Sequence, residues 1–198
     1  MIPNNRISTR LPSYAINGVT LIELIVAISI IAILSTVALP SFKQLILQKR
    51  MMIEVNKWQQ GFAFARQAAI SSANVVTLCP SSDGMRCAGN WQQGTMVFAD
   101  LDGDKRKSTD ESVLYRMGAS KNGIVATWRA FQNRNYIQFQ HNGFTWYQNG
   151  TLRLCIDGEN QRYNRALIVT RAGRVRVSQD NDGDGVHDDA SGESIQCH

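Results

Sequence analysis

From Val19 to Leu39 the chain runs 21 residues with a single charge, Glu23. As a helix, such a stretch is about 30 Å long, the thickness of a bilayer's hydrocarbon core. Past Pro40 the apolar residues stop being continuous and begin to recur. Phe42, Leu45, Met52, Val55, Trp58, Phe62, Ala65 and Ala69 fall at three- or four-residue steps with one longer step, while Lys49, Arg50, Lys57 and Arg66 take largely other faces. The two patterns predict one long helix over 20–72, kinked near Pro40, whose second half lays its apolar stripe on a globular head.

From residue 74 the period drops to two. VVTLC, TMVFAD, SVLYRM, GIVATW, YIQFQ, FTWYQ, TLRLCI, ALIVTR and RVRVS read as short strands separated by Gly, Asn and Asp turns. A helix followed by strands, with no alternating helices, predicts an α+β fold with an antiparallel sheet packed on the helix. The expected division is a leader (1–18), a transmembrane or filament-core helix (19–40), the amphipathic second half of that helix (41–72), a β-rich head (73–179) and an acidic C-terminal tail (180–198).

Charge sharpens this division. The net charge is +5, but residues 1–18 carry Arg6 and Arg10 and no acid, whereas 180–198 carry Asp180, Asp182, Asp184, Asp188, Asp189 and Glu193 and no Lys or Arg. Between them stand 19 Lys and Arg against 10 Asp and Glu. A basic body suits polyanion partners such as nucleic acid or anionic lipid, and equally a merely soluble basic surface. The basic leader is expected to stay cytoplasmic, with everything after residue 40 outside.

A carboxylate at a helix centre costs roughly 2.5–3.5 kcal/mol on insertion scales. Glu23 lies near the end of the segment and can snorkel toward the headgroups. The only good small-residue cleavage site, Gly18, precedes the apolar run. Cleavage there would free an ammonium at Val19 and make Glu23 the fifth residue of the mature chain. Amine and carboxylate could then neutralise each other, within one chain or between neighbours.

Gly18 followed by Val-Thr-Leu-Ile-Glu, an apolar run and Pro40 resembles the class III signal of type IV prepilins and pseudopilins. That resemblance implies cleavage by a prepilin peptidase between Gly18 and Val19 and N-methylation of the new terminus. It also implies that Glu23 pairs with a neighbouring subunit's terminus in a filament, with Pro40 inside the same assembly helix. The chain would begin as a single-pass protein of a bacterial inner membrane, its head periplasmic. The family more often has Phe where Val19 stands. Farther on, YIQFQHNGF, TLRLCI and RALIVTRAGRVRV are similar to the C-terminal region of minor pilins and pseudopilins of the GspH/FimT/FimU family.

Four cysteines, 79, 87, 155 and 197, permit three pairings in an oxidising compartment. Cys79 and Cys87 bracket a short turn-rich loop that can close on itself; this leaves Cys155 to pin Cys197 and the tail to the sheet. With no CxxC and only three His, zinc is not expected. DLDGDKRKSTDE sets Asp100, Asp102, Asp104 and Glu111 in a calcium-loop spacing, but Lys105 occupies the glycine place and Arg106 and Lys107 follow, so an exposed hairpin loop is expected. DNDGDGVHDD comes closer, with Asp180, Asp182, Asp184 and Gly185, but has Ser191 at the twelfth place and reads as an acidic solvated tail. No metal or cofactor is expected. His141, His187 and His198 have no evident nucleophile partner, so the chain does not read as an enzyme. Trp91, Trp128 and Trp146 read as core.

The most informative polar cluster is IVTRAGRVRV. If Ala172-Gly173 is a two-residue hairpin loop, Arg171 and Arg174 pair directly across it and Arg176 shares their face. Like charges so placed repel. They call for something anionic: the acidic tail folded back, solvent alone, or a nucleic-acid backbone, whose phosphates arginines contact without reading sequence. Arg153, Arg162, Arg165 and the 105–107 cations could widen the patch. Arg171, Gly173, Arg174 and Arg176 match the GRxR motif of FimT-type minor pilins, and this resemblance implies DNA binding during natural transformation. The alternative is a minor pseudopilin of a type II secretion system.

Overall fold

The computed structural model describes residues 18–121 and 123–197; apart from Gly18, the expected leader lies outside the described residues, as does His198. One long helix, α1 (Leu21–Ser72), precedes eight strands: β1 (Val76–Pro80), β2 (Thr95–Ala99), β3 (Val113–Met117), β4 (Ile124–Ala130), β5 (Ile137–Phe139), β6 (Gly150–Ile156), β7 (Arg165–Val169) and β8 (Val175–Val177). The chain divides after Lys43 into two compact units.

In the first unit, Thr20 caps the helix. Its Oγ1 accepts from the Glu23 backbone N–H at 3.3 Å, the S/T-x-x-E spacing of a capping box. Glu23 thus sits in the first turn, where an acid meets the positive end of the helix dipole. Side chains from Leu21 to Leu34 are exposed. Pro40 lies inside the helix, which continues without interruption past it. By length and composition this helix can cross a membrane.

In the second unit, Leu47, Met51, Val55, Trp58, Phe62, Ala65 and Ala69 form the buried face of α1. Two four-stranded antiparallel sheets supply the rest of the core, in the orders β3-β2-β1-β5 and β4-β6-β7-β8. Val76, Leu78, Ile137 and Phe139 come from the first, Trp128, Leu152, Leu154, Leu167 and Val169 from the second. Trp58, Phe62, Trp91 and Trp128 stack into one aromatic cluster with ring centroids 5.6 to 6.3 Å apart.

Four expectations are corrected here. Phe42, Leu45 and Met52 are exposed, and Leu47 and Met51 are buried instead. The true stripe runs 51, 55, 58, 62, 65, 69, and Met52 lies one residue, about 100° of helix, off that line. FTWYQ is not a strand: Trp146 has φ +52, outside any extended conformation, and Trp146 is exposed, not core. The loop after β2 is not simply exposed, because Asp100 and Glu111 are buried. Asp100 accepts from the Thr77 hydroxyl, the Gln138 side-chain amide and the Lys105 N–H, while Glu111 accepts from the Leu101 and Ser108 N–H groups. Nor is the whole tail solvated. Residues 180–185 are exposed, but Asp188 is buried, and Ile195 is completely buried against Cys155 and Ala166. Disulfides join Cys79 to Cys87 and Cys155 to Cys197.

Candidate functional site

The hairpin of β7 and β8 pairs Ile168 with Arg176 and Val169 with Val175. One step further, the Thr170 N–H donates to the Arg174 carbonyl at 2.9 Å, and the Gly173 N–H donates to the Thr170 carbonyl at 2.9 Å. The loop is therefore three residues, Arg171-Ala172-Gly173, rather than two. Gly173 supplies the left-handed residue that such loops require, with φ +70. Arg174 faces Thr170 across the hairpin, and Arg171 belongs to the loop. The direct Arg171–Arg174 opposition expected from a two-residue loop does not occur.

Arg174 and Arg176 are exposed, alternating with Val175 and Val177, which pack toward the core. Neither guanidinium has an ion-pair or hydrogen-bond partner among the described residues. Arg171 is exposed but held. Its Nε donates to the Trp146 carbonyl at 3.2 Å, and its guanidinium lies over the Tyr147 ring, 5.0 Å from the centroid. Thr145, fully buried, ties the same loop to the hairpin: its N–H donates to the Arg171 carbonyl at 2.9 Å and its hydroxyl to the Thr170 carbonyl at 3.0 Å. From α1, Arg66 Nε donates to the Gly143 carbonyl at 3.1 Å.

Among the described residues, no carboxylate of the tail pairs with this hairpin. The tail's Asp189 takes Arg153 instead, at 2.7 Å, with the two side chains 10 % and 17 % exposed. Burial alone would raise the Asp189 carboxyl, but hydrogen bonds from Ser191 and Arg153 outweigh it and hold the group below the usual carboxylate range. Arg165 is also withdrawn. Its guanidinium donates to the Arg162 and Asn164 carbonyls, and burial lowers its pKa. It pairs with Leu154 at the end of β7 away from the loop, with Arg162 beyond it. Lys105, Arg106 and Lys107 lie in the β2–β3 connection of the other sheet. The patch thus comes down to Arg171, Arg174 and Arg176.

Two carboxylate triplets, Asp100-Asp102-Asp104 and Asp180-Asp182-Asp184, each bring oxygens within 4.8 Å of one another. Both are wrapped by their own loop amides: Asp180 accepts from Gly183 and Gly185, which holds its carboxyl below the ordinary range. Lys105, standing where a calcium loop has glycine, adopts the left-handed conformation with φ +68. His187 bonds through Nδ1 to the Ser178 carbonyl at 2.7 Å, a contact that fastens the tail to the residue after β8. His141 is exposed. Sequence reasoning missed the exposed aromatics Phe144, Trp146 and Tyr147. An aromatic run in a stretch without Asp or Glu was the available signal; its nearness to the basic hairpin arises only in the fold.

Residues 54–173, more than half of the chain, match the model of the type II transport protein GspH, and residues 15–39 match the prokaryotic N-terminal methylation motif. The crystal structure of the type IV minor pilin FimU of Pseudomonas aeruginosa strain PAO1 in space group P21 is similar in fold, with TM-score 0.51 and 16% identity over 69% of this chain and 91% of that one. Its P65 crystal form gives 0.46 and 17%, over 61% and 86%. A comparison with curated proteins finds no match. The chain belongs to the GspH family and is a minor type IV pilin-like or pseudopilin-like protein, a structural subunit with a prepilin-type apolar helix.

Proposed function

We propose that this protein is a minor pilin that binds DNA without sequence preference, through Arg171, Arg174 and Arg176, for uptake in natural transformation. The observation that carries the reading is the pair of exposed guanidinium groups on Arg174 and Arg176, without partners among the described residues, while Asp189 of the acidic tail pairs with Arg153. A soluble fold gains little from unpaired like charges on adjacent positions of one strand face, whereas a phosphate backbone repays them.

The helix belongs to the same proposal. Prepilin peptidase cuts between Gly18 and Val19, the Val19 amine is methylated, and the head remains periplasmic. Glu23 then meets a neighbouring subunit's terminus in the filament, with Pro40 in the assembly helix. Thr20 caps the helix through the backbone N–H of Glu23, which Glu23→Gln retains, so that variant isolates the side-chain charge. Filament incorporation at wild-type level by Glu23→Gln would count against charge pairing.

The family match also favours a second reading, a minor pseudopilin of a type II secretion system handling proteins. Fluorescence anisotropy separates the two. Full-length protein in neutral detergent is titrated with labelled duplex DNA, beside an Arg171→Gln/Arg174→Gln/Arg176→Gln variant of equal helicity. Binding lost in the variant supports the DNA reading; no binding by the wild type at low salt leaves the pseudopilin.

A further inference from the structure

We infer that the aromatic loop beside the arginine hairpin is a stacking platform for unpaired bases, so that the site takes single-stranded DNA; this rests on the DNA reading above. Phe144, Trp146 and Tyr147 are 45%, 56% and 58% exposed, and with Arg171 they line a shallow cleft of about 380 Å³. Their exposure is not that of a loose loop. Thr145 is fully buried and bonded to the hairpin, and Gln148 is buried, its Oε1 accepting from the Gln138 N–H at 2.6 Å. Trp146 and Tyr147 therefore stand between two fixed points, held outward, with Phe144 just before the first.

Trp146 is a bulky residue at φ +52, a region that side chains of its size rarely occupy. Arg171 holds the carbonyl of this same residue. Strain of this kind persists where surrounding structure enforces it, and it collects at binding sites. The guanidinium of Arg171 already lies on the Tyr147 ring, so one side chain joins the cationic hairpin to the aromatic loop. Its other N–H groups have no partner among the described residues.

The chemistry names the occupant. Residues 140–150 and 160–179 contain no Asp or Glu, so the platform and its rim favour a polyanion over an ordinary protein surface. Flat π faces beside phosphate-binding cations fit a strand whose bases are free to stack, and a duplex hides those faces. Arg174 and Arg176 would track the backbone while Trp146 and Tyr147 take bases.

The test uses full-length protein in neutral detergent and three labelled probes: a single strand of about 20 nucleotides, an abasic deoxyribose-phosphate strand of equal length, and the duplex. Single-strand binding is expected to exceed abasic-strand binding by at least about tenfold, the worth of one well-stacked base. Trp146→Ala/Tyr147→Ala should remove that margin, so that single and abasic strands bind this variant equally, and Trp146→Phe, which keeps a π face, should retain most of it. Equal binding of single and abasic strands, with both lost in the triple arginine variant, overturns the platform and leaves the phosphate reading standing. Duplex binding tighter than single-strand binding overturns it likewise. Failure to bind any of the three removes both readings and returns the aromatics to a protein neighbour.

Discussion

The backbone of Gly173 lies against the carbonyl oxygen of Gly143, with no room for a β-carbon between them. The contact closes the arginine hairpin onto the aromatic loop, and Arg66 bonds the same carbonyl from α1. Gly173→Ala therefore meets two penalties: a left-handed backbone, about 1–2 kcal/mol, and a clash with main chain, about 1–3 kcal/mol. Gly158, at φ +70 with nothing within 4 Å, carries only the first. Denaturant unfolding should show Gly173→Ala clearly less stable than Gly158→Ala. Equal losses would mean the approach to Gly143 is not tight.

Neighbouring apolar positions of α1 separate just as sharply. Trp58 is 1% exposed amid Phe62 and Trp91, while Met52 is 53% exposed. Trp58→Ala should cost about 3–5 kcal/mol, the usual loss for a buried aromatic. Met52→Ala should stay within about 0.5 kcal/mol, as exposed substitutions do. The same unfolding series checks both.

The Arg153–Asp189 pair anchors the tail to β6 in a nearly dry setting. Removing one partner strands the other, and breaking a buried pair costs about 3–5 kcal/mol. Asp189→Ala should lose about 2–4 kcal/mol, toward the lower side because some solvent reaches the pair. Hydrogen exchange should quicken at Ile195, whose N–H donates to the His187 carbonyl at 3.0 Å. Unchanged exchange there would show that the Cys155–Cys197 disulfide alone holds the tail.

His187 adds a pH dependence. Burial, with Arg165 nearby, lowers its pKa from 6.5 in the folded protein. Below 6.5 the unfolded chain then binds more protons than the folded one. The contribution to stability is complete above that value and is lost as pH falls through the lower folded pKa. Wild-type stability should fall as the pH drops below 6.5, and His187→Asn, which cannot titrate, should flatten that part of the curve. An identical slope in both would exclude His187 as the source.

Much of this molecule is legible in its sequence. The apolar run, the 3.6-residue stripe and the alternating strands each follow from local chemistry, and eight of the nine expected strands are present. The misreadings arose where tertiary contacts overrule local pattern. FTWYQ alternates like a strand, yet Thr145 bonds to the hairpin and Trp146 is turned out of the extended region. Ala172-Gly173 looks like a two-residue turn, yet the register of β7 on β8 puts three residues in the loop. The acidic end looked solvated because one apolar residue, Ile195, and one ion pair do the anchoring, and neither leaves a periodic signature. The arginines could be seen in sequence; which of them stay unpaired could not, because Asp189 selects Arg153 through the fold.

The proposed phosphate-binding role of the hairpin is tested most directly by the salt dependence of DNA binding, measured on full-length protein and on the single variants Arg174→Gln and Arg176→Gln. Each phosphate contact removed should lower the slope of log K against log salt by about 0.9 for duplex or about 0.7 for single-stranded DNA. Slopes falling by that amount in each single variant would support direct contact by both side chains. Slopes equal to wild type in both would contradict it, since the cations that meet the DNA would then lie elsewhere.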